Sequence, residues 1–147
     1  MSGELNLLKL CVGVDKVSEL AQWRDMCAAK ALANGVDYVP HHITRMWPRR
    51  ESELLDGGSL YWVVKGLILV RQRIVRLDEV IGEDGIRRCS LIFDPQLVLT
   101  EAYKRRPFQG WRYLDKADAP RDVGLYREDE EEIPNALRAE LSSLGVL

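Results

Sequence analysis

The sequence predicts a single α+β domain, in which a small, partly open β-barrel carries an N-terminal and a C-terminal helix. Its 147 residues are about the length of one domain. One strand and one helix come first, and several short strands follow at intervals of roughly 8–12 residues. After Leu55 no helical pattern separates these strands before the tail. A doubly wound α/β fold would need a helix between successive strands, so that fold class is excluded.

The first two elements are a strand and a helix. An apolar run over Leu5–Val14 predicts a buried strand. Asp15 is a suitable N-cap for a helix that continues to about Ala33, because the apolar side chains that follow fall near one face at helical spacing. Asn34-Gly35 then ends this helix as a left-handed C-cap.

Glycine and proline divide the middle of the chain into short elements. An extended segment ends before Pro48, since a residue that precedes proline avoids the α region. A helical turn follows, and Gly57-Gly58 and Lys65-Gly66 mark two turns. The predicted bounds are 36–47 for the extended segment, 50–55 for the helical turn, and 59–64, 67–77, 87–93, 96–100 and 111–114 for the strands, with a hairpin tip at 82–85.

The tail differs in composition from the core, which we place at residues 1–122 of the single domain 1–147. Residues 123–147 are predicted to form an acidic connector and a helix. Five consecutive acids occupy Glu128–Glu132. Pro134 suits the first turn of a last helix that continues to about Ser143.

Composition predicts a cytoplasmic protein with no cofactor and no membrane segment. The three cysteines form no C-x-x-C pair, which is typical of reduced thiols in the cytosol. No basic region precedes the first apolar run, and no apolar stretch is long enough to span a bilayer. Neighbouring side chains of a strand point to opposite faces, so His41 and His42 cannot hold one metal ion. We expect one histidine in the sheet, one in solvent, and no metal site.

Charge is distributed unevenly along the chain, although the net charge is only −2. Residues 41–112 contain thirteen Lys and Arg against nine Asp and Glu, a net charge of +4. Residues 113–147 contain four against nine, a net charge of −5. This asymmetry indicates a basic face, or charges that pair with each other across the fold.

Two segments interleave arginine with aromatic rings beside a proline, and they are the candidate binding site. Guanidinium groups bind phosphates, and aromatic faces stack on bases, so the pattern favours contact with nucleic acid or nucleotides. The same pattern fits aromatic rings that close the ends of a barrel core under arginine stems, and this alternative stays open. The candidate residues are Arg45, Trp47, Arg49, Arg50, Arg105, Arg106, Trp111 and Arg112.

Several catalytic patterns are absent. The sequence contains no G-x-S-x-G elbow, no phosphate loop and no dinucleotide-binding glycine motif. The acidic group Glu51, Glu53 and Asp56 lies beside arginines and fits a solvated helical turn as well as it fits acid–base chemistry. The catalytic residues of any reaction therefore stay unknown at this stage.

Four blocks of the sequence carry a resemblance to known families. The segments His42–Pro48, Leu55–Val63, Asp84–Cys89 and Arg106–Leu114 resemble a family of uncharacterised alphaproteobacterial proteins of about this length. The order of elements, with the Gly-Gly turn and the Tyr-Trp-Val-Val strand, is similar to the PUA-like superfamily, above all to its EVE and ASCH domains. That likeness implies a small pseudobarrel that binds RNA or a modified nucleotide.

Two alternatives to a binding module remain. The resemblance to ASCH domains implies a small hydrolase, for which Lys65 or the Glu51, Glu53 and Asp56 group near His42 would be used. The charge asymmetry also fits an interaction protein without a small-molecule site, whose acidic tail covers its own basic centre or that of a second subunit in a homodimer.

Overall fold

The computed structural model describes residues 4–106 and 108–127. Two α-helices and eight strands make up its regular structure, with one 3₁₀ turn at Lys116–Asp118. In chain order the elements are β1 (Leu5–Leu10), α1 (Val17–Ala33), β2 (His41–Thr44), α2 (Glu51–Leu54), β3 (Ser59–Val64), β4 (Leu67–Ile81), β5 (Arg87–Phe93), β6 (Val98–Lys104), β7 (Trp111–Asp115) and β8 (Asp122–Leu125).

The strands of the described residues form one mixed sheet with β4 at its branch point. Six strands follow the order β2-β5-β4-β3-β1-β7, while β6 pairs with β4 and β8 pairs with β6. Only β1 and β3 are parallel among these described pairs. The first half of β4 contacts β3 and β6, and its second half contacts β5 after a register shift between Ile74 and Arg76. A shift of this kind bends a strand, so one sheet becomes two curved lobes.

The sheet stays open, and side chains bridge the gap between its β2 and β7 edges. The indole Nε1–H of Trp111 donates a 2.8 Å hydrogen bond to the carbonyl oxygen of Met46, just after β2. The backbone N–H of Arg50 donates to the hydroxyl of Tyr113 at 3.1 Å. The predicted α+β class with a partly open strand assembly is therefore confirmed at the level of an eight-stranded sheet that does not close.

Helix α1 covers the sheet only in part. Its buried side chains are Val17, Leu20 and Ala21, all in the first half of the helix. They pack on the face of the sheet that carries Leu7 and Trp62, while the opposite face has its own apolar cluster. A cavity remains between the sheet and the part of α1 from Glu19 to Met26. No helix among the described residues is long and apolar enough to cross a lipid bilayer.

Most predicted elements occur, with different ends. Strands 59–64 and 87–93 have the predicted bounds, and Gly35 has φ +73° as a left-handed C-cap requires. β1 ends at Leu10 rather than at Val14, and Lys16 occupies the N-cap position of α1 that we predicted for Asp15. β8 was not predicted and extends past residue 122, while the acidic run and the C-terminal helix lie outside the described residues.

Candidate functional site

A cavity of about 670 Å³ lies between α1 and the sheet. This volume falls within the range of small-molecule sites, which is roughly 300–1,000 Å³. Its walls come from the end of β1 and the following loop, from α1, from the segment 38–42, and from single side chains of β3, β4 and β5. Segments distant in sequence thus converge on one concave surface.

Aromatic rings form the deep wall of the cavity. Trp62 lies at its centre, with the ring of His42 at 5.4 Å in an edge-on arrangement and the ring of Phe93 at 6.2 Å on another side. Tyr38 lines the same cavity and lies 6.3 Å from the ring of His41. Edge-on contacts of this kind hold the rings in fixed orientations. The cavity therefore offers a rigid aromatic surface.

Gln72 supplies a polar group with a fixed orientation. Its Oε1 accepts a 3.0 Å hydrogen bond from Trp62 Nε1. Because an indole N–H can only donate, the oxygen of the amide must face Trp62 and the NH₂ group must point elsewhere. Gln72 is 5% exposed and lines the cavity, and Nε2 makes no hydrogen bond with the described residues. Nε2 is not among the fully buried polar atoms that lack a partner, so it reaches the accessible surface of the cavity and is available to a ligand.

The two adjacent histidines also line the cavity, and they differ in their environment. Burial above all, and then the charges of Lys9 and His41, lower the pKa of His42 to about 4. His42 is therefore neutral near pH 7, with one N–H donor and one acceptor nitrogen. His41 Nδ1 lies 2.8 Å from the carbonyl oxygen of Val39, which can only accept, so Nδ1 carries a proton.

Charged and apolar side chains surround the mouth of the cavity. Lys9, Glu19 and Arg24 contribute the charges. Burial raises the pKa of the Cys11 thiol to about 11, although Lys9 opposes the shift, so Cys11 is a neutral thiol at pH 7. Val12, Trp23 and Met26 line the mouth as well and are exposed to solvent. The cavity therefore has a polar and aromatic interior and a mainly apolar mouth.

The aromatic rings of the two predicted clusters are largely covered. Trp111 is 7% exposed, and its indole N–H is bonded to Met46. Trp47 is half-buried, with the guanidinium of Arg87 at 4.3 Å from the centre of its ring. Both rings therefore contribute to packing. The sequence pattern could not distinguish this role from base stacking.

The arginines of the clusters are exposed apart from Arg105, which is partly buried, and most have no acidic partner. Arg50 pairs with Glu53 and lies 5.5 Å from the centre of the Tyr113 ring. The guanidinium of Arg112 lies 4.8 Å from the centre of the Phe108 ring. The remaining predicted arginines make no side-chain hydrogen bond and no ion pair with the described residues. They are Arg45, Arg49, Arg105 and Arg106.

None of the eight candidate residues lines the cavity, although both clusters lie near the end of β1 that borders it. Trp111 pairs with Lys9 across β7 and β1, and Lys9 lines the cavity. The backbone of Arg105 bonds to Gly66 in the turn after β3, next to the end of β1. Arg45 follows β2 directly, three residues after His42. Arg45 and Arg105, which have no acidic partner among the described residues, therefore lie on segments that adjoin the strands of the cavity wall.

Sequence reasoning missed most of the cavity residues. Trp62 and Phe93 lie in apolar strands that are typical of a core, and the sequence predicted one of the two histidines in the sheet without indicating which. The sequence feature that could have indicated the cavity was Gln72, a neutral amide in a strand of apolar residues and arginines. The groups weighed for hydrolysis do not line the cavity beside His42: these are Glu51, Glu53, Asp56 and Lys65. No three metal-ligating side chains cluster within residues 4–106 and 108–127.

Comparisons with known proteins give one match. A search of curated proteins and a search of solved structures found no match to the chain. The family model of DUF1489, described as a protein of unknown function, matches residues 7–147. The match begins at residue 7 and the first lining residue is Lys9, so the match includes every residue that lines the cavity. The chain therefore belongs to the DUF1489 family of proteins of unknown function.

Proposed function

We propose that the chain is a binding module for RNA or a modified nucleotide, with one base held in the cavity beside α1. The observation that carries this proposal is Gln72, whose amide donor is fixed by Trp62 inside an aromatic-walled cavity. Sites for heteroaromatic ligands combine apolar walls with a few polar groups in fixed positions. The resemblance of the element order to the PUA-like superfamily supports the same function.

The chemistry of the cavity suits the edge and the faces of a nucleobase. Trp62 and Phe93 offer flat apolar surface, and Gln72 Nε2 donates to a ring nitrogen or carbonyl oxygen of the base. Neutral His42 offers a donor and an acceptor, which match the mixed edges of bases. In this proposal the stacking role that we first gave to Trp47 and Trp111 belongs to the rings of the cavity.

Phosphate groups would be bound outside the cavity. Arg45 and Arg49 follow β2, and neither has an acidic partner within the described residues. A guanidinium group without an acidic partner can bind a phosphate without first breaking an ion pair. On a single strand, each phosphate contact adds roughly 0.7 to the dependence of log K on log salt.

The experiment is a calorimetric titration of the full chain and of Gln72→Glu. The ligands are mixed-sequence RNA oligonucleotides and 5′-mononucleotides that carry standard and methylated bases. The variant keeps an oxygen for the Trp62 N–H but replaces the donor with an acceptor, so we expect a loss of affinity of about tenfold or more. Gln96→Glu is the matched control, because Gln96 is exposed and does not line the cavity.

A second variant tests the phosphate contacts. Arg45→Gln should lower affinity for all sequences alike and reduce the salt slope by about 0.7, the contribution of one phosphate contact on a single strand. Arg76→Gln, which removes a cation already paired with Asp78, should leave the slope nearly unchanged. Absence of salt-sensitive binding at micromolar protein, or wild-type affinity in Gln72→Glu, would disprove the proposal.

A further inference from the structure

The mouth of the cavity has an apolar surface that one base in the interior leaves uncovered. Val12, Trp23 and Met26 are 86%, 59% and 56% exposed, and all three line the mouth. Trp23 and Met26 are three residues apart on α1 and therefore lie on one face of the helix. Val12 lies across from them on the loop after β1.

The size of the cavity agrees with more than one ring system. Its volume of about 670 Å³ is in the middle of the range for drug-sized ligands. A single nucleobase against Trp62 and Gln72 would leave the outer part of this space to solvent. The outer part is also the part whose walls are apolar and exposed.

We infer that the ligand is a single-stranded oligonucleotide, and that a second base, adjacent in sequence to the one in the cavity, stacks on Trp23 at the mouth. The inference rests on the proposed function and specifies its substrate class. Base–aromatic stacking needs only a flat exposed ring, which Trp23 provides, and tolerates any base. A base inside the cavity is unpaired, and a single strand offers such a base without the unstacking and unpairing that extrusion from a duplex requires.

Charges around the mouth determine the direction in which the sugar-phosphate backbone of the oligonucleotide leaves the cavity. Lys9 lies on the sheet side of the cavity and Glu19 on the helix side. Phosphate is attracted by the ammonium and repelled by the carboxylate, so the strand runs along the sheet side, towards Arg45. Arg24 lines the cavity too, but it pairs with Asp25 and donates to the carbonyl oxygen of Pro95 at 2.9 Å.

The test compares ligand length between the wild-type chain and Trp23→Ala by calorimetry. The ligands are 5′-mononucleotides and tetranucleotides of the standard bases and their methylated forms. At high salt, where phosphate contacts contribute little, we expect the wild type to prefer the tetranucleotide by about five- to 150-fold, which is the contribution of one stacked base. Trp23→Ala should lose most of this preference and keep its affinity for mononucleotides, while Trp23→Phe should retain part of the preference.

Leu32→Ala is the matched control, since Leu32 is an exposed apolar residue of α1 that does not line this cavity. It should bind both ligands as the wild type does. If the wild type binds tetranucleotides no better than mononucleotides, the inference fails and the proposed function stands. An equal loss for both ligands in Trp23→Ala also overturns it, because Trp23 would then contact the first base. If neither ligand binds, the inference and the proposed function fail together.

Discussion

At the scale of single residues, the two adjacent histidines show what a sequence pattern can predict about a side chain and what it cannot. Strand alternation predicts one ring in the sheet and one in solvent, and this is confirmed: His42 contacts Trp62, whereas His41 is exposed. The pattern did not reveal that the inward ring borders a cavity. That depends on how far α1 stands from the sheet, which no local pattern encodes.

The buried His42 predicts a loss of stability in mild acid. Its pKa is about 4 in the folded chain against 6.5 in the unfolded chain. Between these values the unfolded chain binds more protons, so the contribution of His42 is complete above pH 6.5 and falls as the pH drops towards 4. The pKa difference, 6.5 against about 4, is equivalent to about 3.4 kcal/mol, and solvent screening of the partly exposed ring lowers the expected loss to about 2–3 kcal/mol.

Urea unfolding at a series of pH values measures this effect. His42→Gln should flatten the part of the profile between pH 6.5 and 4, because glutamine does not titrate. His41→Gln, which changes an exposed ring, should retain the slope of the wild type. A wild-type slope that survives in His42→Gln would show that other groups cause it.

At the scale of elements, glycine and β-branched residues predicted the strands well. β3 and β5 have the predicted bounds because Gly57-Gly58, Lys65-Gly66 and the Asp94 break enclose them. β8 was missed for a physical reason. It is a short, exposed edge strand with a glycine, and a distant partner holds it: Arg71 makes a bidentate ion pair with Asp122 at 2.7 and 2.8 Å.

The turn before β3 gives a prediction about packing. Gly57 has φ +85°, while Gly58 is required for space: a Cβ at this position would overlap the carbonyl oxygens of Leu54 and Leu5. These are backbone atoms of α2 and β1, which cannot move without separating the two elements. Gly58→Ala should therefore destabilise the fold by about 3 kcal/mol.

Thermal unfolding of the variant measures this cost. Gly124→Ala is the control, because a Cβ there meets no atom within 4 Å and the backbone needs no positive φ. It should change the free energy of unfolding by less than about 1 kcal/mol. Equal stability of the two variants would mean that α2 and β1 shift apart at little cost.

At the scale of the whole molecule, the charge asymmetry makes a prediction about the tail. Residues 128–147 contain six acids and one arginine and lie outside the described residues. If this acidic tail competes with nucleic acid for the basic centre, a chain that ends after Arg127 should bind RNA several-fold more tightly at low salt, with a smaller gain at high salt. A cut after Asp122 would instead remove the rest of β8.

Affinity measurements on the shortened chain at two salt concentrations decide this point. Sedimentation of both chains shows in parallel whether the tail holds a homodimer together. Unchanged affinity and an unchanged oligomeric state would exclude the interaction-protein alternative in both of its forms. The sequence indicated the charge asymmetry but not its target, because the pairing of distant charges depends on the folded chain.

The position of β1 in the sheet has a consequence for the order of folding. Leu7 pairs with Leu60 on one side and with Tyr113 on the other, which are 53 and 106 residues later in the chain. Pairings this distant in sequence make folding slow. On a ribosome that adds roughly 5–20 residues per second, β1 emerges first and waits several seconds for either partner. A strand that is synthesised before both of its partners is thus completed late, and until then its apolar edge is open to aggregation or to chaperone binding.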